Sequence, residues 1–160
     1  MMRNICVITG SRADYGLLKK LIKNIDKDRN FNLKLLVTGS HLSEEFGNTF
    51  SEIKDDGIKI SDKIEIVLSS DTPSSVCNSM GLATILFSKS FKLHNPDALI
   101  ILGDRYELLS AASSALIHNI PIIHLHGGEK TTGAFDDAIR NAITKMSNLH
   151  FVTNIEYKKR

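Results

Sequence analysis

The chain has 160 residues, of which 42% are hydrophobic and 24% charged, and its formal net charge is +2. This length supports one domain with a sizeable core, and the balanced charge gives no global field that would draw the protein to nucleic acid or to anionic lipid. The apolar runs are too short to span a bilayer, and the start "MMRNICVITG" has no signal-peptide pattern. We therefore expect a cytoplasmic protein without nucleic-acid or membrane partners, in which Cys6 and Cys77 are buried thiols.

Short apolar runs alternate with helical patterns from end to end. In chain order, the pattern predicts strand 4–9, helix 14–25, strand 33–38, helix 42–56, strand 63–68, helix 76–94, strand 98–102, helix 107–119, strand 121–126, helix 136–148, strand 150–153 and a helix from 154. Gly57 is the predicted C-cap of the second helix, and Asn95-Pro96 ends the third. Strands that are apolar throughout and separated by helices predict an α/β fold, with a doubly wound, Rossmann-like parallel sheet covered on both faces. Because the last βα unit is cut as its helix begins, we expect residues 1–160 to be the first domain of a longer protein.

Glycines and unusual polar residues gather where the predicted strands end. The segments are "TGSRADYG", "TGSH", "LGDRYE", "HGGE" and "TN". In an open α/β sheet the ligand lies beyond the carboxyl ends of the strands. The convergence of these segments on one edge therefore predicts a ligand site there.

The segment "GSRADYG" matches neither the P-loop nor the dinucleotide fingerprint. A turn led by Gly10 that opens a helix still offers free backbone N–H groups to an anion, and Arg12 could add a bidentate phosphate contact. The alternative is that Arg12 is solvated and that Asp14 is only an N-cap.

The segment "LGDRYE" contains Asp104, Arg105 and Glu107. It predicts either a partly desolvated carboxylate that acts as acid or base, or an Asp N-cap with a local ion pair. Asp136 and Asp137 pose a similar choice, because either can cap the helix that follows or face the cleft.

The segment "HLHGGE" is the most specific of the set. Strand alternation would place His124 and His126 on the same side, the two glycines would let backbone approach a ligand, and Glu129 would lie in the turn. Two histidines and a carboxylate could bind zinc, with the Asp104 loop as a fourth ligand, although the spacing fits no strong zinc signature. The alternative for His124 is a hydrogen bond to a backbone carbonyl.

Four ordered blocks carry a resemblance to a known family. The segments "GSRADYG", "TGSHLSEEFGNT", "GDRYELLSAA" and "HLHGGEKTTGAFDDAIRNAITKMS" resemble the hydrolysing UDP-N-acetylglucosamine 2-epimerases of sialic acid biosynthesis, over nearly all 160 residues. Relatives that act on a bacillosamine-type UDP-sugar, on the way to legionaminic acid, share these blocks. The resemblance implies the N-terminal half of a glycosyltransferase-B-like two-domain fold, with the C-terminal nucleotide-binding domain outside this chain.

The resemblance also implies a reaction: loss of the proton on carbon 2 together with UDP gives a glycal, and water then adds to give N-acetylmannosamine. It implies a UDP-sugar substrate, no cofactor, no metal, and a homo-oligomer for the full-length form. The implied acid and base candidates are Asp104, Glu129, Asp136 and His126. The implied substrate contacts are Gly10, Arg12, His41, Arg105, Gly127 and Gly128. We expect the 160 residues alone to be inactive, because half of the cleft is missing.

Two departures from the family pattern leave individual roles open. Some relatives have Glu where this chain has His126, and many have Arg-His where it has Arg140-Asn141. Three other classes stay open: a UDP-sugar-binding module without catalysis, a metal-dependent hydrolase built on His124, His126 and Glu129, and a non-hydrolysing epimerase. The His-x-His-Gly-Gly-Glu form favours the hydrolysing branch by resemblance.

Overall fold

The structure, a computed structural model, describes residues 2–43, 48–66, 72–131 and 135–160. The strands are β1 Arg3–Thr9, β2 Phe31–Thr38, β3 Ile60–Ile64, β4 Ala98–Leu102, β5 Ile122–Leu125 and β6 Leu149–Phe151. The helices are α1 Arg12–Lys27, α2 Phe50–Asp55, α3 Pro73–His94, α4 Tyr106–Ile117, α5 Asp136–Met146 and α6 Ile155–Lys158, with a 3-10 turn at Gly39–Leu42.

All neighbouring strands pair in parallel, in the order β3-β2-β1-β4-β5-β6. The chain winds outward from β1 to β3, returns to β4 beside β1, and winds outward again to β6. This confirms the doubly wound, Rossmann-like sheet. The order reverses between β1 and β4, and such a switch point opens a crevice at the carboxyl ends of the strands.

Two apolar cores cover the two faces of the sheet. Adjacent residues of β1 show the division, because Val7 lies in the core under α1 and α2 whereas Ile8 lies in the core under α3, α4 and α5. Strand alternation produces this separation, and the buried strands are apolar on both faces for that reason. Fully burying an Ile or Leu side chain contributes about 1.5–3 kcal/mol, so both layers are needed for stability.

The second predicted helix is only partly correct. The structure has a 3-10 turn at Gly39–Leu42 and an α-helix from Phe50, and residues 44–47 of the predicted helix lie outside the described residues. Asn48 has a φ of 48°, a left-handed conformation that a continuing helix excludes. The predicted stop at Gly57 is confirmed: its φ is 74°, and the Ile58 N–H donates back to the Ile53 carbonyl at 3.2 Å.

Three other expectations are wrong in detail. The strand predicted at 63–68 is β3, Ile60–Ile64, which begins three residues earlier and pairs with β2 through a register shift at Leu35/Leu36. Residues 67–71 lie outside the described residues. β5 ends at Leu125, because His126 adopts a φ of 62°. Cys6 is buried as expected, but Cys77 on α3 is exposed. No helix in the described part of the chain has both the length and the apolar character needed to cross a membrane.

Candidate functional site

The carboxyl ends of β1, β2 and β4 bring together a group that we call the Glu107 cluster: Gly10, Asp14, Gly39, Arg105 and Glu107. Glu107 lies in the first turn of α4 and is completely buried. Its Oε1 accepts a hydrogen bond from Arg105 Nε at 2.5 Å, whereas its Oε2 is buried and has no hydrogen-bond partner in the described part of the chain. A buried charge is tolerated when it is paired and hydrogen-bonded, and Arg105 provides that pairing at one oxygen only.

Arg105 is the exposed member of this ion pair. Its side chain is 39% exposed, and only Nε contacts Glu107. Burial lowers the pKa of Arg105, but the adjacent Glu107 carboxylate outweighs this and the pKa is raised overall. The guanidinium is therefore a permanent positive charge at the edge of the sheet.

Two glycines allow the strands to close over Glu107. A Cβ on Gly10 would lie 2.7 Å from Glu107 Oε1, and a Cβ on Gly39 would lie 2.9 Å from the same oxygen and 2.7 Å from the Gly10 carbonyl. Gly39 also has a φ of 57°. A side chain at Gly39 would clash with backbone, whereas one at Gly10 would displace the Glu107 carboxylate, so the close approach of protein to protein explains the predicted Gly10 here.

The N-terminus of α1 is capped by Ser11, not by Asp14. The Ser11 hydroxyl accepts from the Asp14 N–H at 3.2 Å, and the Asp14 carboxylate accepts from the Gly10 N–H at 3.2 Å. Asp14 therefore holds the loop that covers Glu107. Arg12 is 73% exposed and pairs with Glu52 at 2.7 Å, so in this structure it points away from the cluster. The substrate contact of Arg12 stays a prediction.

His41 lies beside the Glu107 cluster but below the surface. It is fully buried, and its ring nitrogens are 3.0 Å from the Thr9 hydroxyl and 2.7 Å from the Thr49 hydroxyl. Burial lowers the pKa of His41 despite the opposing effect of nearby carboxylates. A direct contact between this ring and a substrate would require one of these hydrogen bonds to break, and the predicted role remains untested.

The carboxyl ends of β4 and β5 form a second group, the Arg140 cluster: Asp104, His126, Glu129, Thr131 and Arg140. Arg140 on α5 is 7% exposed. One terminal nitrogen donates to Asp104 Oδ2 and to Thr131, and the other donates to the His126 carbonyl at 2.7 Å and to Glu129 Oε2 at 3.3 Å. A single buried guanidinium thus holds two of the predicted acid and base carboxylates on its two arms.

Asp104 and Glu129 differ in how completely they are paired. Asp104 is not the N-cap of α4, since Arg105 occupies that position. Its Oδ2 takes the bonds from Arg140 and Thr131, and its Oδ1 has no partner among the described residues. Both oxygens of Glu129 are engaged, because Thr153 also donates to Oε1 at 2.9 Å.

Contrary to expectation, the two histidines of "HLHGGE" do not lie on the same side of the strand. His124 is buried, with Nε2 2.8 Å from the Gly103 carbonyl and Nδ1 3.1 Å from the Thr144 hydroxyl, so its alternative interpretation is correct. Burial lowers the pKa of His124. The left-handed turn at His126 breaks the alternation and leaves its Nδ1 3.6 Å from Glu129 Oε1, an ion pair only when the ring is protonated.

Gly127 and Gly128 lie against protein in this structure. A Cβ on Gly127 would be 3.2 Å from His124 Nδ1, and a Cβ on Gly128 would be 2.4 Å from the Tyr157 carbonyl oxygen. Gly128 also has a φ of 75°. The backbone contact and the positive φ explain why position 128 needs glycine, and Gly127 is tightly packed against the His124 ring; the predicted contact of both with substrate stays a prediction.

Asp136 is not joined to either cluster by any contact within the described ranges. Phe135 is the N-cap of α5, so Asp136 and Asp137 are its first two residues and neither is the cap. Both carboxylates still interact favourably with the positive, N-terminal end of the helix dipole. Asp137 accepts from Asn141 at 3.2 Å. Residues 132–134, which precede this turn, lie outside the described residues.

The described ranges contain no group of three His, Cys, Asp or Glu side chains placed to hold a metal ion. Zinc binding by His124, His126 and Glu129 would also compete with both ring hydrogen bonds of His124. The geometry therefore gives the zinc hypothesis no support in this part of the chain.

The sequence assigns no role to the two residues at the centre of these clusters, Arg140 and Glu107. The signal for Arg140 is its position three residues before Ile143, which puts a cation on the buried face of α5. Nothing in the local pattern distinguishes Glu107 from an exposed first-turn Glu.

Comparison with known proteins gives a consistent result. Residues 23–160 match the family model described as UDP-N-acetylglucosamine 2-epimerase. The chain is 49% identical over 158 residues to the GDP/UDP-N,N'-diacetylbacillosamine 2-epimerase (hydrolyzing) of Campylobacter jejuni, covering 99% of this chain and 41% of that protein. It is 41% identical over 160 residues to the UDP-N,N'-diacetylbacillosamine 2-epimerase (hydrolyzing) of Legionella pneumophila, covering 100% of this chain and 42% of that protein.

A solved structure shares the fold. The UDP-GlcNAc 2-epimerase from Neisseria meningitidis, crystallised with UDP-GlcNAc, superposes with a TM-score of 0.83 at 18% identity, over 98% of this chain and 41% of that one. At this identity the likeness concerns the fold. The chain spans about two fifths of the length of the relatives that it matches.

Proposed function

Because the chain belongs to the UDP-N-acetylglucosamine 2-epimerase family, we propose that it supplies the acid and base half of the active site of a hydrolysing UDP-sugar 2-epimerase. The observation that carries this proposal is the placement of Asp104 and Glu129 on the two arms of one buried guanidinium, at the ligand-binding edge of the sheet. The UDP-sugar is the substrate, and no cofactor is needed for the proposed chemistry.

The proposed reaction has two steps. A base removes the proton from carbon 2 of the sugar while the bond between carbon 1 and the diphosphate oxygen breaks, which releases UDP and leaves a glycal. Water then adds across the double bond, with its oxygen at carbon 1 and a proton at the opposite face of carbon 2. The sum is hydrolysis with inversion at carbon 2. A weakly acidic carbon proton requires a positioned base, and the departing diphosphate requires positive charge.

The paired carboxylates suit different parts of this sequence. Asp104 keeps one oxygen without a described partner, so it is the better candidate to take a proton from the substrate. Glu129 has both oxygens engaged and His126 within 3.6 Å, which suits a group that exchanges protons with water through a neighbour. Asp136 has no described contact with this pair, and we retain it as a third candidate on the resemblance alone.

The names of the relatives support an order of the two candidate substrates. Two relatives, at 49% and 41% identity, are named for N,N'-diacetylbacillosamine, and another at 41% is named for polysialic acid biosynthesis. We therefore place UDP-N,N'-diacetylbacillosamine first and UDP-N-acetylglucosamine second, the reverse of the order that the sequence motifs favoured. No described contact of either cluster distinguishes the two sugars, so the order rests on the relatives.

The first test follows each UDP-sugar by proton NMR in deuterated water, using the protein from its complete reading frame. Release of UDP together with a free manno-configured sugar that carries deuterium at carbon 2 is the expected result. An intact, epimerised UDP-sugar would indicate the non-hydrolysing reaction instead. Binding without turnover of either sugar would make the protein a UDP-sugar-binding module and contradict the proposal.

Substitutions then test the acid and base assignment. Asp104→Asn and Glu129→Gln should each lower kcat by about 100-fold or more, the usual contribution of a positioned acid or base. Asp26→Asn and Glu65→Gln make the same chemical changes at exposed positions outside both clusters and should keep wild-type rates. Wild-type kcat in Asp104→Asn would remove Asp104 from the mechanism.

The 160-residue chain assayed alone should show little or no turnover, because half of the proposed cleft is missing from it.

A further inference from the structure

We propose that Glu107 is a positioning residue that presents the terminal nitrogens of Arg105 to the diphosphate of the substrate. This inference rests on the proposed function, because it assumes that a nucleoside diphosphate lies at the switch point. It concerns a side chain that is fully buried and therefore touches no substrate itself.

The way Arg105 is held carries the argument. Glu107 Oε1 binds Nε, the nitrogen nearest the arginine stem, at 2.5 Å. The two terminal nitrogens, which form the fork that binds phosphate bidentately, have no partner among the described residues. A carboxylate that instead bound both arms of the fork would hide them, as Asp104 and Glu129 do to Arg140.

The surroundings of Glu107 keep its carboxylate out of contact with the ligand, and Arg105 offsets its charge. Gly10 and Gly39 cover Oε1 so closely that an added Cβ would lie 2.7 Å and 2.9 Å from this oxygen. Asp14 fixes the covering loop through the Gly10 N–H at 3.2 Å. The negative charge is thus enclosed, and its positive partner is 39% exposed directly after β4, the strand beside which the strand order reverses.

A second observation is that Glu107 Oε2 has no hydrogen-bond partner within the described ranges. A buried carboxylate oxygen without a hydrogen bond costs free energy, and a role in stability alone would be served better by a neutral group. Gln at 107 would keep an acceptor for Arg105 Nε while removing the charge. A change of this kind separates the electrostatic role of Glu107 from its shape.

The test measures UDP affinity by titration calorimetry, with the protein from its complete reading frame. Glu107→Gln should weaken UDP binding about tenfold, because the ion pair that fixes Arg105 becomes a weaker hydrogen bond from the guanidinium to a neutral amide. Glu65→Gln, at an exposed carboxylate, should bind UDP as the wild type does. The decisive comparison is a double-mutant cycle: in an Arg105→Ala background, Glu107→Gln should cause no further loss of affinity.

Arg105→Lys provides a second variant in case Glu107→Gln does not fold. A lysine has one ammonium group, which can bind either Glu107 or the diphosphate, so UDP affinity should fall nearly as far as in Arg105→Ala. Wild-type affinity in Arg105→Lys, or equal losses from Glu107→Gln with and without Arg105, would overturn this inference alone. Failure of the wild-type protein to bind UDP would overturn it together with the proposed function.

Discussion

The Glu107 and Arg140 clusters are built from the same kind of ion pair in opposite orientations. In the Glu107 cluster the carboxylate is fully buried and the arginine is 39% exposed. In the Arg140 cluster the arginine is buried, and the Asp104 and Glu129 side chains are 20% and 27% exposed. The buried partner serves as the anchor and the exposed partner faces the ligand edge, so one side of β4 presents positive charge and the other presents carboxylates.

The inversion shows how a sheet edge can separate two chemical tasks. Binding a diphosphate requires positive charge, whereas the proposed proton transfers use carboxylates, and here the two kinds of exposed group lie in separate clusters. Each exposed group is paired with its own buried partner. The comparison can be tested by replacing the buried Arg140, by substituting a glycine that covers the buried Glu107, and by measuring how stability depends on pH.

Removing the Arg140 anchor should give the largest loss of stability. Arg140→Met keeps the stem but leaves Asp104 and Glu129 close together without their shared cation, which should lower the free energy of unfolding by about 3 kcal/mol. Urea unfolding monitored by circular dichroism measures the change. Arg29→Met, at an exposed arginine of the α1–β2 loop, should change stability by less than about 0.5 kcal/mol. Equal stability of the two variants would show that Arg140 is not an anchor.

Opening the cover over Glu107 should have a smaller effect. Gly39→Ala combines a φ of 57° with contacts of 2.7 Å and 2.9 Å, and should cost about 2 kcal/mol in the same unfolding experiment. The matched control is Gly16→Ala, since Gly16 lies inside α1 with nothing within 4 Å of its added Cβ. That variant should be more stable than the wild type by about 0.5–1 kcal/mol. A Gly39→Ala protein as stable as Gly16→Ala would contradict the close-packed cover.

The smallest expected effect is the pH dependence of stability that arises from two buried histidines near the clusters. Burial lowers the pKa of His41 and of His124 below the ordinary value of 6.5, so near that pH the unfolded chain binds more protons than the folded one. Stability from this source is complete above pH 6.5 and is lost as the pH falls below it, by at most about 1.4 kcal/mol per pH unit for each histidine.

Melting temperatures between pH 7.5 and pH 5.5 measure this dependence. His41→Gln and His124→Gln should each lose less stability on acidification than the wild type does, whatever their stability at pH 7.5. His118→Gln, which replaces an exposed histidine, should keep the wild-type dependence. An unchanged pH dependence in His124→Gln would show that this ring does not stay neutral in the folded protein.

The fold could be predicted from the sequence because its main signals are local. The apolar run 98–102 and the helix 136–148 needed only hydrophobic periodicity, and both are present, the helix ending two residues early. The wrongly predicted elements lie where tertiary contacts override the local sequence signals. β3 is a half-exposed edge strand whose pairing is shifted by a bulge, and its position cannot be read from its own residues.

The location of the candidate site could be predicted from the sequence, but the contacts between its side chains could not. The rule that ligands bind at the carboxyl ends of strands located Asp104, Arg105 and Glu129 correctly at one edge. It could not show that Arg140, 36 residues after Asp104, would reach both carboxylates. The N-cap alternatives for Asp14 and Asp104 are wrong, and the sequence could not decide them, because an acidic residue at a helix start has the same pattern whether it caps the helix or makes another contact.

Asp104 and Arg105 are consecutive residues that belong to different clusters, and this has a mechanical consequence. A single trans peptide keeps neighbouring Cα atoms about 3.8 Å apart, so the distance between the anchored cation and the carboxylate is limited by covalent geometry and not only by packing. On the proposed function, one peptide bond therefore limits the distance between the group that binds the leaving diphosphate and the group that removes the proton from carbon 2. Insertion of a single residue between 104 and 105 would change that distance even if the sheet folded unchanged.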